Sequence, residues 1–411
     1  MTSAESPPSG LQRLAGPEGQ ELLAGLPDYD ESQVLRLTAT LREDGHDPEL
    51  VSAALTQARL RQRARARLGP LADRLLLTPD GLEQATRPEV ARRHAERFRR
   101  AGVERVWDLG CGLGLDTLGL AEAGLAVTAV ERDPEVAAAA AANLAAYPAV
   151  QVVRGDLAQL RPAPADGVWF DPARRTPGVA DVTGRTRRVW RLSELSPSWE
   201  HVLEVAASVA AAGAKLSPGF RPQDLPEGAE AEWVSVDGDV VECVVWWGRA
   251  VHRPGVGAVV GRDGRWHRVE PAPHTPDPLA PGEDPGPFLA EPDRAVLAAG
   301  LAGTAAAAVD GRELDAGVGY LSAAAPTPLP WLRWYAVEQV LPLHPRSVRA
   351  WLREQGVGRV TVKKRGVPTD PDRFRSELRL RDRRGPEATL VLTRVGGAPR
   401  VVVVRPREPA D

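Results

Sequence analysis

Cysteine is nearly absent from this chain: Cys111 and Cys243 are the only two in 411 residues. Two cysteines build no disulfide framework, so a reducing, cytoplasmic setting is expected. Missing too is a basic start followed by an apolar core, since the first 30 residues are polar and acidic; no secretory signal is expected. The longest weakly polar runs, such as "AAAAAANLAA", are too short to span a bilayer, which argues against a membrane partner. Lysine occurs only at Lys215, Lys363 and Lys364, so almost all positive charge is arginine. With alanine, glycine and proline also abundant, this pattern fits GC-rich coding, and arginine content alone does not point to nucleic acid.

What is present fits an ordinary globular protein of two or three domains, with 43% hydrophobic and 26% charged residues. The charge is unevenly spread. Residues 341–411 carry 17 Lys and Arg against 8 Asp and Glu, a net of +9, while the whole chain is at −3. The remainder therefore holds −12. A basic end on an acidic body suits an anionic partner, although a solvated basic face is an equal reading.

Four regions follow from periodicity. Residues 1–100 read as helical, with apolar residues three and four apart in "ELVSAALTQARLRQRARARL" and Asp47-Pro48 and Pro88 as helix starts. From 101 to 250 short β-rich runs alternate with helices, which means a parallel sheet covered on both faces. Residues 251–287 hold a hairpin turning at Asp263-Gly264 and then a proline-rich linker. A second α/β unit occupies 288–411, its last two strands joined by Gly396-Gly397.

The stretch "VWDLGCGLGLD", 106–116, carries the chemistry. A nicotinamide fingerprint would need glycine at 115, where Leu115 stands, and no Gly-Lys-Ser/Thr follows to make a phosphate loop. What stands there is Asp108 ahead of Gly110, Gly112 and Gly114, between a strand and a helix. Three more acids end successive strands: Glu131, placed to accept from a ribose diol; Asp156 in "VVRGDL", placed to meet an adenine amine; and Asp171 in "FDPARR". Singly, each is better explained as a cap or turn residue. In order behind a glycine loop, they line one crevice.

These motifs resemble those of class I S-adenosylmethionine-dependent methyltransferases, over residues 103–247. "VWDLGCGLGLD", "VTAVERDP", "VVRGDL" and "FDPARR" stand for the four characteristic segments. The flanking "DGLEQATRP", "KLSPG" and the tail "VRAWLREQGVGRVTVKKRGV" resemble bacterial methyltransferases with a C-terminal THUMP-like domain. The resemblance implies an α/β fold: a Rossmann-like doubly wound sheet, an N-terminal helical region and a C-terminal α/β THUMP-like domain. It implies S-adenosyl-L-methionine as cofactor, with Asp108 and Gly110 to Gly114 at its methionine part, Asp116 at the amino group, Glu131 at the ribose and Asp156 at the adenine. Gln84 and Thr86 of "EQAT" would close over it; Thr86 also reads as a helix cap before Pro88. A sulfonium already activates the methyl group, so neither a metal nor a covalent nucleophile is required.

Asp171 is the expected acceptor-side catalytic residue, as base or hydrogen-bond acceptor for an N–H; a turn into Pro172 is the plainer reading. Exocyclic-amine enzymes place a second proline and an aromatic after Asp-Pro, and this chain has Ala173-Arg174 instead. Arg174 and Arg175, followed by Arg185, Arg187, Arg188 and Arg191, are candidates for phosphate, and Trp190 and Trp199 for stacking on a base or for the core. Uridine C5 transfer is rejected, because no cysteine follows the fifth strand. Lys363, Lys364 and Arg365 form the expected phosphate patch, and the helix 57–69 a second one. The function expected is methylation of a base in RNA, tRNA or rRNA. A small-molecule or protein methyltransferase and a non-catalytic S-adenosylmethionine-binding protein stay open.

Overall fold

The computed structural model describes residues 9–155, 161–172, 175–180, 186–188, 192, 195–380 and 385–407, with backbone alone for 175–180 and 186–188. The chain forms two compact units. The first runs through Leu216 and takes in Val245–Arg253; the second comprises Ser217–Val244 and everything from Pro254.

The first unit opens with α1 (Gly10–Ala15), α2 (Pro17–Gly25), α3 (Val34–Glu43), α4 (Pro48–Leu68), α5 (Pro79–Gln84) and α6 (Pro88–Arg100). Four of these begin at proline, whose fixed φ suits the first turn and whose missing N–H costs nothing there. Asp47 caps α4 by accepting from the N–H groups of Glu49 and Leu50. Leu14, Leu50, Leu60, Leu76 and Leu77 are fully buried in one cluster that also receives Leu113 and Leu115 from the glycine segment.

The sheet follows with β1 (Arg105–Leu109), α7 (Leu115–Glu122), β2 (Ala126–Glu131), α8 (Pro134–Leu144), β3 (Val150–Arg154), β4 (Gly167–Phe170), the small pair β5 (Arg175–Ala180) and β6 (Thr186–Arg188), α9 (Trp199–Ser208) and β7 (Ala211–Leu216). The order β3-β2-β1-β4-β7 is parallel at every pairing. The order reverses between β1 and β4. That is the switch point over whose carboxyl ends doubly wound sheets bind ligands. Trp246, from the returning segment 245–253, packs on Trp169 with ring centroids 5.6 Å apart and on Phe98 at 5.7 Å. A Cβ at Gly213 would lie 2.5 Å from the Trp246 ring, so that position must be glycine.

The second unit holds β8 (Glu230–Val236), most of β9 (Asp239–Gly248), β10 (Gly255–Arg262) and β11 (Arg265–Val269). β10 runs parallel to β8 and pairs antiparallel with β11 through Asp263 and Gly264, both at positive φ as a tight hairpin turn requires. A seven-stranded sheet follows, from β12 (Phe288–Pro292), β13 (Arg312–Glu313), β14 (Leu321–Ala323), β15 (Leu332–Pro342), β16 (Arg359–Lys364), β17 (Glu387–Val395) and β18 (Ala398–Arg407). Its order is β13-β14-β12-β15-β18-β17-β16. Four helices accompany it: α10 (Arg294–Ala298), α11 (Ala302–Ala307), α12 (Pro345–Glu354) and α13 (Pro371–Leu378). Val348, Leu352, Phe374 and Leu378 bury the inner faces of α12 and α13. The proline-rich stretch before β12 is irregular but tied down, since Arg312 donates to the carbonyls of Asp277 and Pro278. Among the described residues no helix is long and apolar enough to cross a membrane.

Candidate active site

The glycine segment leaves β1 and enters α7 with three left-handed residues, Gly110, Gly112 and Gly114, at φ of 89, 55 and 83°. Each glycine answers a different need. A Cβ at Gly110 would lie 2.8 Å from the Asp171 carbonyl oxygen, and one at Gly114 would lie 2.8 Å from the Leu144 side chain. A Cβ at Gly112 would meet nothing within 4 Å. Gly112 therefore borders open space, where a ligand can approach the backbone.

That space is a cavity of about 500 Å³, within the range of small-molecule sites. Its walls include Gln84, Thr86, Gly110, Gly112, Asp116, Glu131 and Asp171, all named from the sequence, together with His201 and Lys215. Glu131, at the end of β2, is clamped by three backbone donors. Its Oε1 accepts from Arg132 N at 2.8 Å and Asp133 N at 2.9 Å, and its Oε2 from Gly112 N at 3.1 Å. The carboxylate is thus fixed before any ligand arrives.

Beneath the loop lies a buried acid, Asp108. Its Oδ2 accepts from Thr117 Oγ1, and its Oδ1 is buried with no hydrogen-bond partner among the described residues. Burial, reinforced by the nearby Asp116 charge, pushes its carboxyl up to about 8. Asp116 behaves oppositely. Despite burial, the Lys215 ammonium and bonds from His94 and Thr86 hold it well below the usual carboxylate range.

Asp116 belongs to a chain of buried polar groups. His94 Nδ1 lies 2.7 Å from Asp116 Oδ1, and Thr86 Oγ1 donates to Asp116 Oδ2 at 2.6 Å. Lys215 Nζ donates to Thr86 Oγ1 at 2.9 Å, lies 3.6 Å from Asp116 Oδ2 and pairs with Asp171 Oδ2. Thr86 is accordingly no helix cap. Arg87 takes the cap position of α6 without a side-chain bond, and the Thr86 hydroxyl turns inward.

Comparison with known proteins identifies the architecture. Residues 106–175 match the methyltransferase domain family, 332–406 the THUMP domain-like family, and 8–64 a domain family of unknown function. An uncharacterized S-adenosylmethionine-dependent methyltransferase of Mycobacterium tuberculosis is 31% identical over 369 residues, covering 85% of this chain and 93% of that protein. The chain belongs to the S-adenosylmethionine-dependent methyltransferases. The crystal structure of a candidate methyltransferase from Porphyromonas gingivalis W83 shares the fold across 92% of this chain and all of that one, at TM-score 0.69 and 21% identity.

The cofactor of this methyltransferase is S-adenosylmethionine, and the cavity fits it on its own evidence. The approach at Gly112 is open, the Glu131 carboxylate is prepositioned, and four carboxylates outnumber the two cations, Arg132 and Lys215, on the wall. Asp156 and Arg174 lie outside the described residues, as do Arg185, Trp190 and Arg191. Arg175 begins β5, and Arg187 and Arg188 lie in β6. The Trp199 ring packs against that of Trp247 at a tilt of 51°, with centroids 5.8 Å apart. Both thiols are buried, which pushes Cys111 and Cys243 well above the usual range and keeps them protonated.

The expected phosphate patch at 363–365 is split by the strand. Successive residues of β16 face opposite sides, so Lys363 and Arg365 turn together and Lys364 is exposed on the other face. Lys363 Nζ pairs with Glu291 Oε2 and donates to Tyr335 OH at 2.7 Å. Arg365 lies 3.5 Å from Glu291 Oε1 and stacks over Tyr320 at 4.5 Å. The helix 57–69 is also largely engaged internally. Arg61 donates to Leu75 O, Arg65 pairs with Asp28 and Asp73, and Arg67 donates to the carbonyls of Leu82 and Glu83.

Sequence reading missed Lys215 and His94 as members of the site. The signal for Lys215 was there: one of three lysines in an arginine-rich chain, at the end of the fifth strand.

Proposed function

We propose that this methyltransferase modifies a ring nitrogen or amine of a base in structured RNA, tRNA or rRNA. The observation that carries the reading is the THUMP domain-like match at 332–406, which overlaps the segment 341–411 of net charge +9. Phosphate contacts from such a segment position RNA without reading its sequence.

In this reading Gly110, Gly112 and Gly114 let the backbone meet the cofactor, Asp108 lies beneath its methionine part, Glu131 accepts from the ribose and Asp156 from the adenine edge. Gln84 and Thr86 border it on the side of α5. S-adenosylmethionine, when bound, supplies a methyl group already activated by its sulfonium. The protein's task is therefore to hold the acceptor in line at roughly 3–3.5 Å and to receive an N–H. Asp171 takes that second role from the end of β4. Arg174 and Arg175 follow it in the chain and supply phosphate contacts, with Lys364 as the outward cation of the 363–365 group. The engagement of Lys363 and Arg365 by Glu291 favours a second reading, in which the acceptor is a protein or small molecule.

Tritium-methyl transfer from S-adenosylmethionine decides between them. RNA from a strain lacking the gene should take up label where wild-type RNA does not, and nucleoside mass spectrometry then names the base. Uptake into the protein or metabolite fraction, with none into either RNA, would reject the RNA reading.

A further inference from the structure

Lys215 is buried, with its side chain 4% exposed, and it is the only lysine on the cavity wall. Its ammonium reaches three separate segments. It pairs with Asp171 at the end of β4 and stands 3.6 Å from Asp116 in the first turn of α7. It also donates to Thr86 Oγ1, with the Gln84 carbonyl oxygen at 3.5 Å, both ahead of α6. A buried ammonium needs partners to offset its desolvation, and the two carboxylates provide them. A planar guanidinium spreads its charge over a fork and does not replace a compact ammonium at such a convergence.

We propose that Lys215 is a positioning residue of the transfer reaction: it fixes the Asp171 carboxylate at the acceptor side and sets the charge of the cofactor cavity. The proposal deepens the functional reading above and rests on Asp171 being the acceptor-side group. The carboxylates on the cavity wall, Asp80, Asp116, Glu131 and Asp171, outnumber its two cations, Arg132 and Lys215. That balance favours a cationic sulfonium over the neutral thioether of the product, yet leaves the product free to depart. Without the ammonium the cavity is one unit more negative, and Asp171 loses the Lys215 contact that helps to fix it.

The test uses calorimetry on the full chain with S-adenosylmethionine and S-adenosylhomocysteine separately. The preference for the first over the second is independent of the acceptor. For Lys215→Met it should rise by roughly tenfold or more, from the Coulomb energy of a unit charge in a partly buried site. Asp171→Asn should lower it, and the Lys215→Met/Asp171→Asn double variant should return it toward wild type. Label transfer into RNA from the strain lacking the gene should fall at least about a hundredfold for Lys215→Met, and Lys215→Arg should not restore it. An unchanged preference, or a parallel loss of affinity for both ligands, would overturn the proposal. Should Lys215→Met fail to fold, the double variant against Asp171→Asn measures the same increment, and a preference that does not rise between them overturns it equally. If the wild type labels no RNA while the preference shifts as expected, the RNA reading fails and the role of Lys215 stands.

Discussion

The two units of this methyltransferase solve one electrostatic problem in opposite ways. In the first, the carboxylates of Asp116 and Asp171 share the single ammonium of Lys215 on the wall of a cavity. In the second, the cations of Lys363 and Arg365 share the single carboxylate of Glu291. The first arrangement keeps negative charge in reserve for a cationic ligand. The second spends its cations on an internal partner, leaving Lys364 facing outward. A basic segment is therefore not yet a basic surface: what counts is charge left over after internal pairing.

The largest expected effect concerns the acid held in reserve. Asp108 has its carboxyl raised from 3.8 to about 8 in the folded state. The folded chain then binds a proton that the unfolded chain releases above pH 4. Stability from this group is complete below about pH 4 and is lost as pH rises toward 8, by on the order of a few kcal/mol. Denaturant titrations at pH 5 and pH 8 should show the decline, Asp108→Asn should flatten it, and a decline of equal size in that variant would remove Asp108 as its cause.

Next is the cradle. Gly112→Val places a branched side chain at positive φ and into the open space, and should abolish measurable S-adenosylmethionine binding. Glu131→Ala should weaken it tenfold to a hundredfold, roughly 1–3 kcal/mol for lost hydrogen bonds. Calorimetry showing wild-type affinity in both would move the cofactor out of this cavity.

The comparison sharpens at Glu291. Glu291→Gln leaves Lys363 and Arg365 without their shared charge and should cost the second unit about 2 kcal/mol, allowing for partial exposure. S-adenosylmethionine affinity should not change. Thermal melts with and without cofactor separate the two, and a wild-type melt would mean that the cluster contributes no stability.

Smallest is the outward cation. On the proposed RNA reading, Lys364→Ala should weaken RNA binding uniformly across sequences and flatten the salt dependence by about 0.7 to 0.9. Lys363→Ala should change that slope less, because its ammonium is already paired. Equal slopes for both variants would erase the distinction between inward and outward cations.

Much of the cofactor site was legible in the chain because it is local. Glycines at 110, 112 and 114 impose a strand-to-helix turn whatever surrounds them, and a capping Asp133 before Pro134 places Glu131 at a strand end. The hairpin turns at Asp263-Gly264 and Gly396-Gly397 were readable for the same reason, since positive φ is a property of those residues. Thr86 was readable only as one of two alternatives, a residue of the cofactor site or a helix cap. Its spacing from Pro88 suits a cap, but the hydroxyl has a stronger partner in a carboxylate thirty residues away.

The amino-acid sequence by itself determined the strand-helix alternation, the glycine turn and the acids that follow each strand, because those depend on periodicity and backbone stereochemistry within a few residues. Only the tertiary structure decided which charges meet. Lys215 finds Thr86 across 129 positions and Lys363 finds Glu291 across 72. A charge's worth depends on the burial and partners that folding brings to it, and neither is written in its neighbours along the chain.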